Sequence, residues 1–180
     1  MLSCIVAWRR AVLEARCRED PAEAKALDER RDLLCSYADV AGGVDPLTRH
    51  ILGLAVGSLA EPLFLEGLYR IETASSIAWA LGLAEAVPPI TEHANHERLG
   101  ALFPTASAPP PSIREARLRE RAEIAAKLEE WKDASSRAWA RREEAPGEVT
   151  GIEFSRAYER ARGLRWVCSR ASWIEEIQGG

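Results

Sequence analysis

The sequence predicts an all-α protein, a compact single-domain helical bundle of about seven helices spanning residues 1–180. Three observations lead there. Apolar residues recur every three or four positions along most of the chain, the period of an amphipathic helix. Asp20-Pro21, Asp45-Pro46 and Glu61-Pro62 each place a polar or acidic residue before a proline, the pattern that opens a helix. Nothing alternates apolar and polar residues over a strand's length.

The first helix is expected over residues 3–17, with Ile5, Trp8, Val12 and Ala15 inward and Arg9, Arg10, Glu14 and Arg16 on the other side. A second follows Asp20-Pro21, presents Leu27, Leu34, Ala38 and Ala41, and stops at Gly42-Gly43. A third opens at Asp45-Pro46 and runs to Val56. The stretch around which the rest is organised comes next, a central apolar helix near 62–85 closed by Val87-Pro88-Pro89. Its apolar residues run almost all the way round, which marks an element enclosed by others, yet Glu66, Arg70 and Glu72 interrupt it. Thr91 is placed to cap a short helix from Glu92 to Leu102.

Residues 104–111, four prolines with Thr, Ala and Ser, read as a linker loop. Ser112 and Glu115 then have the spacing of a capping box, opening a long helix over 112–145 with Ile124, Leu128, Trp131, Ser135, Ala138 and Trp139 on one stripe. Straight, it would measure roughly 50 Å, against a radius of gyration of about 16 Å for a chain of this length, so a break is expected at Asp133–Ser136. Pro146-Gly147 turns the chain, and Thr150 and Glu153 suggest a second capping box. The last helix, 150–171, carries Phe154, Ala157, Tyr158, Ala161, Leu164, Cys168 and Ala171 inward and packs antiparallel on the long one. Trp173, Ile174 and Ile177 would close one end of the core.

Charge and cysteine usage exclude several functions. The net charge is −4. Residues 1–111 hold 10 basic and 15 acidic groups, and residues 112–171 hold 14 and 11, but the basic residues of the second part alternate with Glu at helical spacing. Self-paired helix faces account for that better than a groove for nucleic acid, so no nucleic-acid partner is expected. Cys4, Cys17, Cys35 and Cys168 are scattered without metal or disulfide spacing, which fits free thiols and a cytoplasmic location. The one long apolar run, 51–84, is broken by Glu61, Pro62, Glu66, Arg70 and Glu72, so no membrane span is expected.

Catalytic signals are sparse. There is no phosphate loop, dinucleotide fingerprint or H-E-x-x-H, so no cofactor is expected. Ser58 lacks a nucleophile-elbow frame. His93 and His96 share a helix face at metal spacing, but two ligands are not a site and no metal is expected. The remaining constellation is charge on helices that otherwise read as buried: Arg70 and Glu72, Arg114 and Glu123, Glu159 and Arg160. Tyr69, Trp79, Trp139, Tyr158 and Trp166 are its aromatic supports. The cluster is either a set of inter-helix ion pairs or the floor of a small polar pocket.

At these residues the chain resembles a largely bacterial family, domain of unknown function 4272. The resemblance is carried by Tyr69-Arg70-Ile71-Glu72, Trp79-Ala80-Leu81-Gly82-Leu83 and Val87-Pro88-Pro89. It continues through Ile113-Arg114, Glu123-Ile124, Arg137-Ala138-Trp139-Ala140, Tyr158-Glu159-Arg160 and Leu164-Arg165-Trp166, and ends at Trp173-Ile174-Glu175-Glu176-Ile177. The blocks keep order and spacing over roughly 24–178, and the first twenty residues have no counterpart. Ser172 and Glu175 stand where the family has Asp around the tryptophan. The resemblance implies a helical, soluble, single-domain protein and brings no activity.

With no nucleophile, base or metal set assembled, the expected function is non-catalytic: a helical domain of the partner or immunity type that binds another protein. The alternative is an enzyme, or a binder of a small ligand or anion, using the Arg/Glu cluster.

Overall fold

The computed structural model describes residues 1–40, 44–102, 116–145 and 147–178, with side chains described except at 40, 148 and 170–178. Among these residues there are seven α-helices and no strand. They are α1 (Leu2–Glu19), α2 (Ala24–Val40), α3 (Pro46–Gly53), α4 (Glu61–Ala80), α5 (His96–Ala101), α6 (Arg121–Glu144) and α7 (Glu148–Gln178). None is long and apolar enough to cross a membrane. The chain divides into two compact units, one of residues 1–71 and 96–110, the other of 72–95 and 111–180.

In the first unit the two aspartate-proline starts behave as their chemistry demands. Asp20 accepts from the Ala22 amide at 3.0 Å and opens a 3₁₀ turn, Pro21–Glu23, that leads into α2. Asp45 accepts from the Thr48 amide at 3.0 Å and from its hydroxyl at 2.7 Å, with Pro46 in the first turn where its missing N–H costs nothing. Helix α3 ends at Gly53 instead of Val56. The side chain of Arg10 takes the carbonyls of Leu54 and Ala55, and that of Glu14 takes the amide of Gly57, so the segment is held as a loop. Ile5, Val6, Ala7 and Ala11 of α1, Leu27 of α2 and Ile51 of α3 form the apolar centre of this unit.

Among the described residues the second half of α4 is the most enclosed stretch, with every residue from Arg70 to Ala80 buried. The helix stops at Ala80, short of the expected Glu85. Gly82 takes φ +69°, its amide bonds the Trp79 carbonyl at 3.0 Å and the Leu83 amide bonds the Ala78 carbonyl at 2.9 Å. That is a Schellman cap, and only glycine enters its left-handed position without strain. Residues 92–95 are also non-helical, and α5 begins only at His96, because the Glu92 carbonyl and the Ala94 amide bond side chains of α7 and α4.

Helices α6 and α7 pack together as a hairpin, as their short connection predicts. The long helix is shorter than expected. Residues 116–120 are non-helical, and Arg119 explains why: its amide donates to the Ala80 carbonyl at 2.8 Å and its Nε to the Trp79 carbonyl at 2.8 Å. The segment thus satisfies the last carbonyls of α4 instead of forming its own helix. Starting at Arg121, α6 fits without the break expected at Asp133–Ser136. Helix α7 starts two residues before Thr150, whose hydroxyl bonds back to the Gly147 carbonyl at 2.9 Å instead of capping forward. The glycine pair at 42–43, the 104–111 loop, the Ser112–Glu115 box and the side chains of Trp173, Ile174 and Ile177 lie outside the described residues.

Candidate functional site

The charged constellation resolves into a clasp in the second unit. Glu72 on α4 and Arg160 on α7 are both fully buried. Arg160 Nε and Nη2 donate to Glu72 Oε2 at 3.0 and 2.7 Å, Nη1 donates to the carbonyls of Pro88 and Pro89 at 2.6 and 3.1 Å, and Nη2 also reaches the Glu92 carbonyl at 2.8 Å. Glu72 Oε1 accepts from the Ala94 amide at 3.1 Å. Below the guanidinium lies Trp131, its ring centroid 4.7 Å away, a cation–π contact. Burial pushes the Arg160 pKa below the ordinary arginine value, while the charge and hydrogen bonds of Glu72 pull it back up. Every guanidinium nitrogen has an acceptor, which is what makes so deep a charge tolerable.

This geometry follows from local sequence. Pro88 and Pro89 have no N–H to pair with a neighbouring carbonyl, so their segment is extended and its carbonyls are open to a side-chain donor. Ala157, Ala161 and Gly163 keep that face of α7 small. A Cβ on Gly163 would land on Ser76 Oγ and within 2.8 Å of the Thr73 carbonyl, so α4 and α7 approach closely there only because of the glycine. Glu159, also buried, accepts from the Thr73 hydroxyl at 2.6 Å and from Arg162 at 3.1 Å.

The other members of the expected cluster go elsewhere. Arg70 lies in the first unit, paired with Glu66 at 3.1 Å and with no acceptor for its Nε. Glu123 is on the surface, pairing with Arg119 at 2.9 Å. Arg114 lies outside the described residues. Among the aromatic supports, Trp79 is buried beneath Arg119, 4.9 Å from its guanidinium, and Tyr69 is half-buried. Trp139, Tyr158 and Trp166 are exposed. Tyr158 was expected inward; the buried face of α7 is instead turned toward Arg156, Glu159, Arg160 and Val167, because the clasp carries its charges inward. Cys168 is half-buried, and all four cysteines are free. His93 is largely exposed, its Nδ1 3.4 Å from Glu72 Oε1, while His96 packs on Trp8 with centroids 5.4 Å apart. No group of three or more metal-ligating side chains forms among the described residues.

Sequence reasoning missed a second clasp altogether. Arg10 and Glu14, expected on the outer side of α1, are fully buried in the first unit. Arg10 Nη1 donates to Glu14 Oε2 at 3.0 Å and Nη2 to the carbonyls of Leu54 and Ala55 at 3.2 and 2.8 Å. Glu14 in turn accepts the amides of Gly57 at 2.8 Å and Leu59 at 3.1 Å. The signal for it was present: an i,i+4 Arg/Glu pair flanked by Ile5, Val6, Ala7, Ala11 and Leu13 has little polar surface around it.

In both clasps most of the polar atoms bond each other or loop backbone, so the arrangement holds those loops in place. Neither a curated protein nor a solved structure matches this chain. A family model does, and it begins within α1, earlier than the blocks of resemblance: over residues 11–175, most of its length, the chain belongs to the family described as Domain of unknown function (DUF4272).

Proposed function

We propose that this is a protein-binding domain of the partner or immunity type, and that its binding face lies on the α6–α7 hairpin. The observation that carries the reading is a run of solvent-facing aromatics. Trp139 is 44% exposed, Tyr158 46% and Trp166 50%, and Phe154 links the first two with centroids 5.1 and 5.9 Å away. Contiguous exposed apolar patches mark interaction sites, and aromatics dominate binding energy where partners dock. Arg142 lies 5.4 Å over the Trp139 ring and Arg165 is exposed on α7, so the fitting partner presents apolar groups with carboxylates around them. Catalysis or ligand binding on Glu72 and Arg160 has less support, since their polar atoms already hold residues 88–94.

Affinity capture from the native host with the wild-type chain and the Trp139→Ala/Tyr158→Ala double variant tests this. A protein retained by the wild type should bind the variant roughly tenfold more weakly or worse, with the melting temperature little changed. A chain that elutes alone at its own mass, or a partner held equally by both forms, contradicts it.

A further inference from the structure

One buried charge is left over by the clasp of the second unit. Arg156 sits one helical turn before Arg160 on α7 and is only 6% exposed. Its Nη1 donates to the Ile90 carbonyl at 3.1 Å, its Nε has no acceptor, and no carboxylate pairs with it among the described residues. The nearby acids are engaged. Glu72 is held by Arg160, Glu159 by Thr73 and Arg162, and Glu92 is an exposed side chain whose carbonyl bonds Arg160 and whose carboxylate acts on it only through its charge. Arg156 is close enough for its charge to act on Arg160, and the one buried carboxylate on Arg160, Glu72, makes no bond to Arg156. Against Arg160 lies Trp131, whose buried Nε1 also lacks an acceptor. The surplus at this spot is of buried donors, and a buried guanidinium with no carboxylate partner is destabilising unless an anion joins it.

We infer that Arg156, beside the Arg160–Trp131 stack and under the residue 88–94 segment, is the primary ligand of a site for a small oxyanion of the carboxylate or phosphate class. Its open Nε and the planar fork of the guanidinium suit two parallel hydrogen bonds to such a group.

The test is thermal melting of the full chain titrated with phosphate and, separately, with acetate, at ionic strength held constant with chloride. At least one of the two should raise the melting temperature saturably. Arg156→Gln should weaken that response roughly tenfold or more, and Arg156→Lys, which keeps the charge but loses the fork, should weaken it less. The anion that acts names the class. If Arg156→Gln does not fold, Arg156→Lys decides, because a response undiminished in it would show the guanidinium to be uninvolved. No saturable shift with either anion, or the same shift in wild type and variants, overturns the inference.

Discussion

The Arg10–Glu14 and Arg160–Glu72 clasps solve one problem in two ways. In each, a fully buried arginine takes loop carbonyls while its carboxylate partner takes loop amides, so a segment that cannot be helical has its backbone satisfied from the side. The first pair lies four residues apart on one helix and holds residues 54–59. The second spans 88 residues, joining α4, α7 and residues 88–94. They also differ in completeness, since Arg160 uses every nitrogen whereas Arg10 leaves its Nε without an acceptor. A local pair can form as soon as its helix does; a distant one can form only when its unit is assembled, and its loss should be felt more widely.

The largest expected effect follows from that difference. Arg160→Met strands the buried Glu72 carboxylate and frees three loop carbonyls, so it should lower stability by about 3–5 kcal/mol, the usual cost of removing one partner of a buried pair. Glu14→Gln keeps an acceptor for one amide and should cost less, about 2 kcal/mol. Urea denaturation of both variants checks the order, and an equal loss in the two would remove the distinction between local and distant clasps. A smaller effect separates the tight helix contacts of the two units. Gly163→Ala runs into Ser76 Oγ and meets the Thr73 carbonyl at 2.8 Å, while Gly67→Ala meets the Ala11 methyl at 2.9 Å and the Ala7 carbonyl at 3.2 Å, a less severe overlap. Both are overpacking changes of about 1–3 kcal/mol, with Gly163→Ala expected at the upper end.

The smallest effect is a pH dependence in the first unit. Burial raises the Asp45 carboxyl pKa, but hydrogen bonds from the Thr48 amide and hydroxyl, with the charge of Arg70 and the bond to Ser3, outweigh it and hold the pKa below 3.8. A depressed folded-state pKa contributes stability that is present above the unfolded value and lost as pH falls through the folded one. Asp45→Asn should therefore cost about 1 kcal/mol near neutral pH and less in acid. Stability curves that run parallel for the two proteins from neutral pH down to about pH 2 would contradict this.

Much of the fold was legible because it depends on local chemistry. Asp45-Pro46, the apolar α4 and the short α6–α7 connection each act within a few residues. The misplaced boundaries share another cause, a partner distant in sequence. Residues 116–120 are non-helical because Arg119 caps α4, residues 92–95 because Arg160 and Glu72 hold them, and α3 stops early because Arg10 and Glu14 reach the loop behind it. The site was legible in part for the same reason. Glu72, Glu159 and Arg160 stood out as charges among apolar residues, but Arg10, Glu14 and Arg156 look like the outer faces of amphipathic helices until the loops they serve are in place. Tyr158 erred the other way, because helical spacing alone does not reveal that a helix buries its charges in preference to an aromatic.

The central claim is that Arg160 and Glu72 act as a structural clasp on residues 88–94. Amide hydrogen exchange at Ala94, whose N–H donates to Glu72, tests it most directly. The clasp predicts slow exchange at Ala94 in the wild type and near-intrinsic exchange in Arg160→Met under conditions where the variant remains folded. Fast exchange at Ala94 in the wild type, or protection that survives Arg160→Met, would contradict it.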